Sequence, residues 1–478
     1  MKRTLFPVAV LTVLYLAALA LWPEALNHNS EYQWPVLHHG VAKKLIPATI
    51  ALFFIIAVLV TVYQKVDWAN LVKAQRIRIS ILILLTAWGL QIIPMTVHRL
   101  GLLEFPLRVY LHDHTSYFTD AIQVQEKQLF EDFPKLVPQL HTHSRTHPPG
   151  AIQFFQVLIR VTKDMPGFVR WYNQTIPRSQ EAAERFHLSS DEVAAGGLAA
   201  ALIILMAAGT AVLCLWSGNL LQIENRAVWL GACLFLFTPT FSNKSPILDQ
   251  FFAFLFLLGV AYFLFGLKRK SLWPGLLCGF FLSSGLWWSY SFLAAPPLCL
   301  LLAAAWMKKN PSSRPFLYLG FFLIALIVMP LAAWISGADP VAIYKANLAG
   351  WHFNNTVSGR IHMWKWIVFN PYEFFAWLGV PIFLFFALAV GREVKKAWRK
   401  QWDRIDPFTW AIVLFGIALD LSGRVCYESP RLAWFYAPLV CLVAAKGFTE
   451  TEGSNRAWPL AIVLVLQAAT VLVFRMLF

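Results

Sequence analysis

The side chains able to do chemistry in this sequence are few, and the densest group lies between residues 98 and 192. The stretch YLHDHTSYFTDA sets Asp113, Tyr117 and Asp120 close together. A carboxylate in a partly dry loop is a candidate general base. Low dielectric raises its pKa toward the working range, and a short reach suffices to take a proton from a hydroxyl or amine acceptor. Asp113 fits this role because no apolar-periodic run begins directly after it. Asp120 abuts a helix predicted from Ala121 and reads first as its N-cap.

The same stretch closes with QLHTHSRTHPPGAIQFF. In His147-Pro148-Pro149-Gly150 two prolines fix φ and a glycine frees the next angle, which predicts a rigid elbow at a helix start. An elbow alone needs neither Arg145 nor His147, so both are candidates to face an anionic headgroup. His112, His114, His141 and His143, with His147, could offer nitrogen to a divalent metal. Their spacing defines no metal site and no cysteine joins them, so solvated loop histidines are the adopted reading.

Other candidates stand at the ends of apolar runs, where charge is costly and therefore suggests function. Asp249 lies one helical turn from the end of the run in SPILDQFFAFLFLLGVAYFL, and Asp420, Arg424, Glu428 and Arg431 surround SGRVCYESPRLAWFY. AGWHFNNTVSGRIHMWKW adds His352, Asn354, Asn355, Arg360, His362 and Lys365. Lys365, between Trp364 and Trp366, reads as a snorkelling interfacial residue.

The elements that must hold these groups are oily. The 478 residues are 58% hydrophobic and 14% charged, with a net charge of +15. That excludes an ordinary soluble enzyme, a disordered chain and a fibrous repeat, and leaves a polytopic all-α membrane protein. Apolar runs fall at about 5–22, 45–63, 79–97, 194–216, 227–241, 247–267, 272–287, 289–306, 316–335, 372–390, 408–421, 432–445 and 458–474, predicting about 13 transmembrane helices. The first, after Lys2 and Arg3, reads as an uncleaved helix that also targets the chain. Residues 1–78 form two N-terminal helices with a cytoplasmic loop, and 79–478 form the main domain.

Basic residues collect in alternate loops, at Lys65, Lys73 and Arg76, at Lys268 to Lys270, at Lys308, Lys309 and Arg314, and from Arg392 to Arg404. The positive-inside rule then makes the N-terminus cytoplasmic and puts the long segments 98–192 and 336–371 outside. This placement reads as an orientation signal and not as a nucleic-acid patch. Segments 121–133 and 151–161 are amphipathic, and the second is expected to lie flat in the membrane interface. All six cysteines lack CxxC spacing and read as small hydrophobes.

Taken together these residues resemble the GT-C superfamily of integral membrane glycosyltransferases, particularly the branch of protein O-mannosyltransferases and aminoarabinose transferases. In that family an acidic motif with a following Tyr opens an outer loop that returns through an HPP turn. Asp113 with Tyr117, and His147-Pro148-Pro149, correspond. The family's Asp near the outer end of a later helix corresponds to Asp249, with Pro246 before it and Phe251 and Phe252 after. The segment GFFLSSGLWWSYSFLAAPPLCLLL is similar to its glycine-bearing helix pair, and the family's frequent Asp-Glu pair is Asp113-His114 here.

The resemblance implies a sugar donor linked to polyprenyl phosphate and an acceptor that is a lipid, a glycan or a protein. Asp113 would act as base in one inverting displacement. Arg424 and Arg431, with Arg145, His147 or Arg360, would meet the donor phosphate, while Tyr117, Asp120, Asp249 and His352 would line the acceptor cavity. No cofactor is required, although a divalent metal is compatible. The setting would be a plasma or inner membrane with the active site extracytoplasmic. A transporter or flippase for a lipid-linked or anionic solute, and an O-antigen polymerase or ligase, are the competing readings. The nearly charge-free middles of the runs count against transport.

Overall fold

The computed structural model describes residues 4–22, 42–97, 101–110, 116–176, 179–311, 316–357, 363–424, 431, 433–453 and 456–477. Asp113, His112, His114 and Arg360 lie outside the described residues. Among those described, every element is helical. Three apolar helices open the chain, α1 (Leu5–Leu21), α2 (Ala42–Lys65) and α3 (Lys73–Val97). Seven shorter ones build the first large loop: α4 (Glu104–Tyr110), α5 (Tyr117–Gln123), α6 (Glu126–Glu131), α7 (Phe133–Leu136), α8 (Gly150–Lys163), α9 (Pro166–Thr175) and α10 (Ser179–Phe186). Then come α11 (Ser190–Leu220), α12 (Asn225–Leu236), α13 (Pro239–Asn243), α14 (Leu248–Arg269), α15 (Trp273–Leu286) and α16 (Ala295–Lys309). The chain ends with α17 (Phe316–Leu326), α18 (Val328–Ile335), α19 (Pro340–Val357), α20 (Met363–Leu378), α21 (Val380–Trp398), α22 (Pro407–Leu421), α23 (Ala437–Glu452) and α24 (Ala457–Leu477).

Among the described residues, six stretches are long and apolar enough to cross a bilayer: α2, α3, α11, α14, α24, and α16 together with the turn from Tyr290. Two bent pairs, Phe322–Ile335 with Pro340–Val357 and Trp364–Leu378 with Val380–Trp398, turn by 94° and 117° and raise the number to eight if each pair counts once. The chain is therefore an integral membrane protein. The expected count of 13 is not reached on these criteria, since α1, α12, α15 and α22 are apolar but have only 12 to 17 residues. The run expected at 372–390 is broken at Gly379, whose φ of +103° suits only glycine and whose Cβ would lie 2.0 Å from Gln467 Oε1.

The long helix α11 is the hub, packed by α3, α8, α12 and α14. Its start is a reciprocal capping box. The Ser189 side chain accepts from the Glu192 N–H at 3.3 Å, and Glu192 Oε2 accepts from the Ser189 N–H at 2.7 Å. Gly196 and Gly197 then let the Tyr110 and Tyr172 rings reach the helix backbone, because a Cβ at either position would lie 1.9 or 2.2 Å from a ring atom. Tyr110 caps this contact by donating its hydroxyl proton to the Val193 carbonyl.

The first loop departs from expectation in two ways. The amphipathic stretch 121–133 is split between α5, α6 and α7, with a Gln125–Gln128 capping box starting α6. Helix α8 forms where expected, but its apolar stripe of Ala151, Ile152, Phe155, Leu158 and Ile159 is buried against α5 and α11 instead of resting on lipid. Gln156 fastens it by donating from Nε2 to the Val124 carbonyl at 2.7 Å.

The basic loop residues do more than mark orientation. Lys309 and Lys446 hold the two oxygens of Asp406 at 3.1 and 2.8 Å. Lys396 pairs with Glu393 at 2.6 Å and Arg392 with Glu450 at 3.2 Å. These bridges tie the ends of α16, α21, α22 and α23 together on one face.

At the other end a charge cluster is buried. Arg108 donates from Nε and Nη2 to Glu104 Oε1 at 2.9 and 2.6 Å, while Arg475 Nη2 donates to Glu104 Oε2. Arg108 also donates to the Ser245 carbonyl at 3.2 Å and to that of Asn243. Asn243 Nδ2 reaches the Val471 carbonyl at 3.0 Å, and Ser245 donates to Gln91 Oε1 at 2.7 Å. Burial pushes the Arg108 guanidinium down to about 10, still fully charged near neutral pH. Glu104→Gln would leave two buried cations facing a neutral amide. A stability loss of about 3–5 kcal/mol is expected, read as a lowered thermal midpoint in detergent.

Candidate functional site

The HPPG elbow predicted from sequence docks on the end of α15. The Gly150 N–H donates to the Trp287 carbonyl at 3.0 Å, and a Cβ on Gly150 would lie 2.3 Å from that oxygen. Glycine is needed here for close approach, not for a left-handed angle. Trp287 Nε1 returns a hydrogen bond to Gln153 Oε1 at 2.6 Å, so the elbow is gripped from both sides.

This places the His147 ring edge-on to Tyr117, with centroids 5.4 Å apart, and stacked on Phe252 at 6.2 Å. Its Nδ1 lies 3.0 Å from the His143 carbonyl, an atom that only accepts, so Nδ1 carries the proton and Nε2 is left as an acceptor. Burial pushes its pKa down to about 4, and Arg431 adds to that, against the opposing hydrogen bond to His143. His147 is therefore neutral at physiological pH. If it faces an anionic headgroup, as the sequence suggests, it does so as a neutral ring, because charging it in this environment is costly.

Arg431 is the cation that the fold sets beside it. Its Nε lies 3.4 Å from Asp249 Oδ2, and Nη2 lies 3.3 Å from His143 Nδ1. Asp249 stands in the first turn of α14, and Phe252, one turn on, is the face on which His147 stacks. Residues from α5, the elbow, α14 and the segment before α23 thus converge on one locus.

Asp120 is not a cap. Ser116, with φ of +53°, holds the N-cap position, and Asp120 lies a turn inside α5, 2% exposed. Its Oδ1 meets His141 Nδ1 at 2.7 Å, while Oδ2 is buried with no hydrogen-bond partner among the described residues. Ser116 Oγ lies 3.3 Å from Ser144 Oγ, joining the start of α5 to the turn before the elbow.

The remaining arginines divide. Arg145 spends Nη2 on the Pro138 and Leu140 carbonyls at 3.1 and 2.9 Å, with its guanidinium 5.0 Å from the Phe353 ring centroid. It staples the loop through Nη2 and through that ring. Arg424 is exposed and lies over Trp351 at 5.9 Å. His352, also exposed, stands edge-on to the same Trp351 at 5.0 Å. Among the described residues no three His, Cys, Asp or Glu side chains gather as a metal group, since His141 turns to Asp120 and His143 to Arg431.

One contributor had no signal in the sequence. Asn347 on α19, 1% exposed, donates from Nδ2 to the carbonyls of Arg145 and His147, both at 2.9 Å, and accepts from the Tyr290 hydroxyl at 3.2 Å. Gly350, one turn on, makes room for Arg145, whose Cγ would lie 2.5 Å from a Cβ there. Asn354 adds a bond to the Thr142 carbonyl at 2.9 Å. Helix α19 is thus a clasp over the elbow. Beside this region, Asn370 and Asp420, 3.2 Å apart, rim an apolar cavity of about 190 Å³ walled by Phe374, Phe375, Phe386 and Tyr436.

Two solved structures of the Archaeoglobus fulgidus oligosaccharyltransferase are similar to this chain. The apo form aligns over 84% of this chain and 56% of that one, with 10% identity and a TM-score of 0.44. The complex with zinc and sulfate aligns over 62% and 43%, with 12% identity and a TM-score of 0.39. The chain spans about half the length of these structures. No protein-family model and no curated protein matches it.

The state of His147 gives a pH signature. Unfolded, the ring takes a proton near 6.5, whereas folded it does so only near 4. Stability is therefore unaffected above pH 6.5 and falls as pH drops from 6.5 toward 4, because only the unfolded chain gains the proton. His147→Gln is expected to flatten that acid limb by up to about 3 kcal/mol, measured as thermal midpoints across a pH series.

Proposed function

We propose that this chain is a membrane glycosyltransferase of the GT-C type that takes a sugar from a polyprenyl-phosphate-linked donor and passes it to an acceptor on the extracytoplasmic face of a plasma or inner membrane. The observation that carries the reading is the locus where Arg431, braced by Asp249 and His143, lies beside the elbow and the start of α5. A guanidinium held in a low-dielectric pocket is suited to charge that develops on a phosphate, since its interaction is screened less than in water. The motif match at Asp113, Tyr117 and His147-Pro148-Pro149 supports the same reading.

In the proposed step an acceptor hydroxyl or amine attacks the anomeric carbon as the bond from that carbon to the phosphate oxygen breaks. The proton passes to the Asp113 carboxylate, and the bonding pair leaves with the polyprenyl phosphate, whose charge Arg431 meets. Configuration at the anomeric carbon inverts in this single displacement. The apolar cavity at Phe374, Phe375 and Tyr436 and the membrane surface of the bundle suit a donor with a long hydrocarbon tail. Positive-inside orientation supports an outer active site, where a lipid-linked donor is accessible and sugar nucleotides are not.

The test uses the full chain in proteoliposomes with a polyprenyl-phosphate sugar. Asp113→Asn is expected to slow transfer by about 10²–10⁴-fold with donor binding retained, as loss of a general base should. Transfer at near wild-type rate would remove Asp113 from the chemistry. Arg431→Ala is expected to raise the apparent KM for donor by about tenfold or more, and an unchanged value would remove it from the phosphate site.

A further inference from the structure

The end of the bundle remote from the candidate site carries two layers of cations. Helix α23 begins shortly after Arg431 and runs to Glu452, so the bridge between Lys446 and Asp406 marks that far end. The inner layer is neutralised, Lys309 and Lys446 on Asp406, Lys396 on Glu393 and Arg392 on Glu450. Glu393 is buried, and it also accepts from the Asp406 N–H at 2.8 Å. The outer layer is Lys395, Arg399, Lys400 and Arg404, all exposed. Among the described residues none of these four has an ion-pair partner. From residue 394 to 405 the chain has a single carboxylate, Asp403.

Helix α21 shows what the outer layer faces. Its buried side, with Ile382, Phe385, Ala389 and Glu393, packs on α23. Its other side presents Phe383, Ala387, Gly391, Val394 and Trp398, at spacings of three and four, and all are exposed. An apolar stripe left uncovered along a membrane-embedded helix faces lipid, and an indole at its end sits where hydrocarbon gives way to headgroups. Lys395 and Arg399 flank that indole on the same side. Trp398 is 88% exposed and Trp402 59%, and a headgroup layer covers ring and cation together where water would leave both rings bare. The helix also stops in a fixed turn. Lys400 takes a left-handed φ of +56°, where glycine is the usual residue, and the N–H groups of Lys400 and Gln401 donate to the Ala397 and Lys396 carbonyls, both at 2.9 Å. The Arg404 N–H then donates to the Gln401 carbonyl at 3.0 Å, which keeps the basic segment at the helix end. Unpaired cations that continue a lipid-facing stripe match a negatively charged membrane surface.

We propose that Lys395, Arg399, Lys400 and Arg404, with Trp398 and Trp402, form a binding surface for anionic phospholipid headgroups of the bilayer that the bundle spans, on the side away from the transfer site. The continuity of the patch with the exposed stripe of α21 selects lipid over an acidic protein segment as the occupant. The proposal does not rest on the glycosyltransferase reading, because its test follows headgroup contact and not transfer.

The test places a dye sensitive to its surroundings at residue 402, through Trp402→Cys in a Cys426→Ser chain whose other five cysteines are buried. The labelled full chain is put in nanodiscs of phosphatidylcholine alone and of phosphatidylcholine mixed with phosphatidylglycerol. Phosphatidylglycerol is expected to move the emission to the blue at low salt, and high salt to reverse the movement. Lys395→Gln/Arg399→Gln/Lys400→Gln is expected to remove at least half of that movement. Lys65→Gln/Lys73→Gln, which changes exposed cations at the ends of α2 and α3, is expected to leave it intact. No movement with phosphatidylglycerol, one that the triple variant keeps, or one that the Lys65/Lys73 variant loses equally overturns the proposal. A movement produced only by added polyglutamate, and lost in the triple variant, would make the occupant an acidic protein segment and overturn it as well.

Discussion

A charge carried into the dry end of a helical bundle must arrive with its counter-charge, and in this protein Glu104 supplies it for two arginines at once. Because Arg108 and Arg475 also reach the carbonyls of Ser245 and Pro94, the cluster clamps α3, α4, α24 and the segment leading into α14 into one body. Asp249 begins only a few residues after that clamp. The position of Asp249 sets Arg431, and Phe252, a turn later, gives His147 its stacking face. The candidate site therefore inherits its geometry from an ion cluster that takes no part in its chemistry.

Much of the frame was legible in the sequence because membrane insertion imposes a simple rule of length and apolarity. The runs at 45–63, 79–97, 194–216 and 247–267 match α2, α3, α11 and α14. The HPPG elbow was also legible, since proline and glycine constrain backbone wherever they occur. What could not be read were relations between distant positions. Glu104 and Arg475 are 371 positions apart, and neither belongs to a motif. The bend at Gly379 lies in a run that length and apolarity alone read as one span, although Gly379 and Pro381 mark the break. The stripe of α8 announced a face needing cover, but periodicity does not distinguish lipid from α5 and α11 as the cover.

The site residues show the same division. Sequence placed Arg145, Arg424 and Arg431 in one group because all three fall outside the apolar runs on one side. Tertiary structure gives them different work: Arg145 holds carbonyls, Arg424 lies exposed on Trp351, and Arg431 is braced beside a neutral histidine. A neutral His147 is itself informative, because it adds no second positive charge to compete with Arg431 for an anion. The price of that arrangement is sensitivity to acid, since burial is what keeps the ring uncharged.

The clasp of Asn347 on the elbow has a consequence for how the protein is made. Its two carbonyl acceptors, on Arg145 and His147, are synthesised about 200 residues earlier. At roughly 5–20 residues per second, the loop waits on the order of ten to forty seconds before α19 emerges to lock it. A nascent chain stopped before residue 340 would hold the elbow without the hydrogen bonds from Asn347. The outer wall of the site is therefore completed late in translation, and truncated products would lack it.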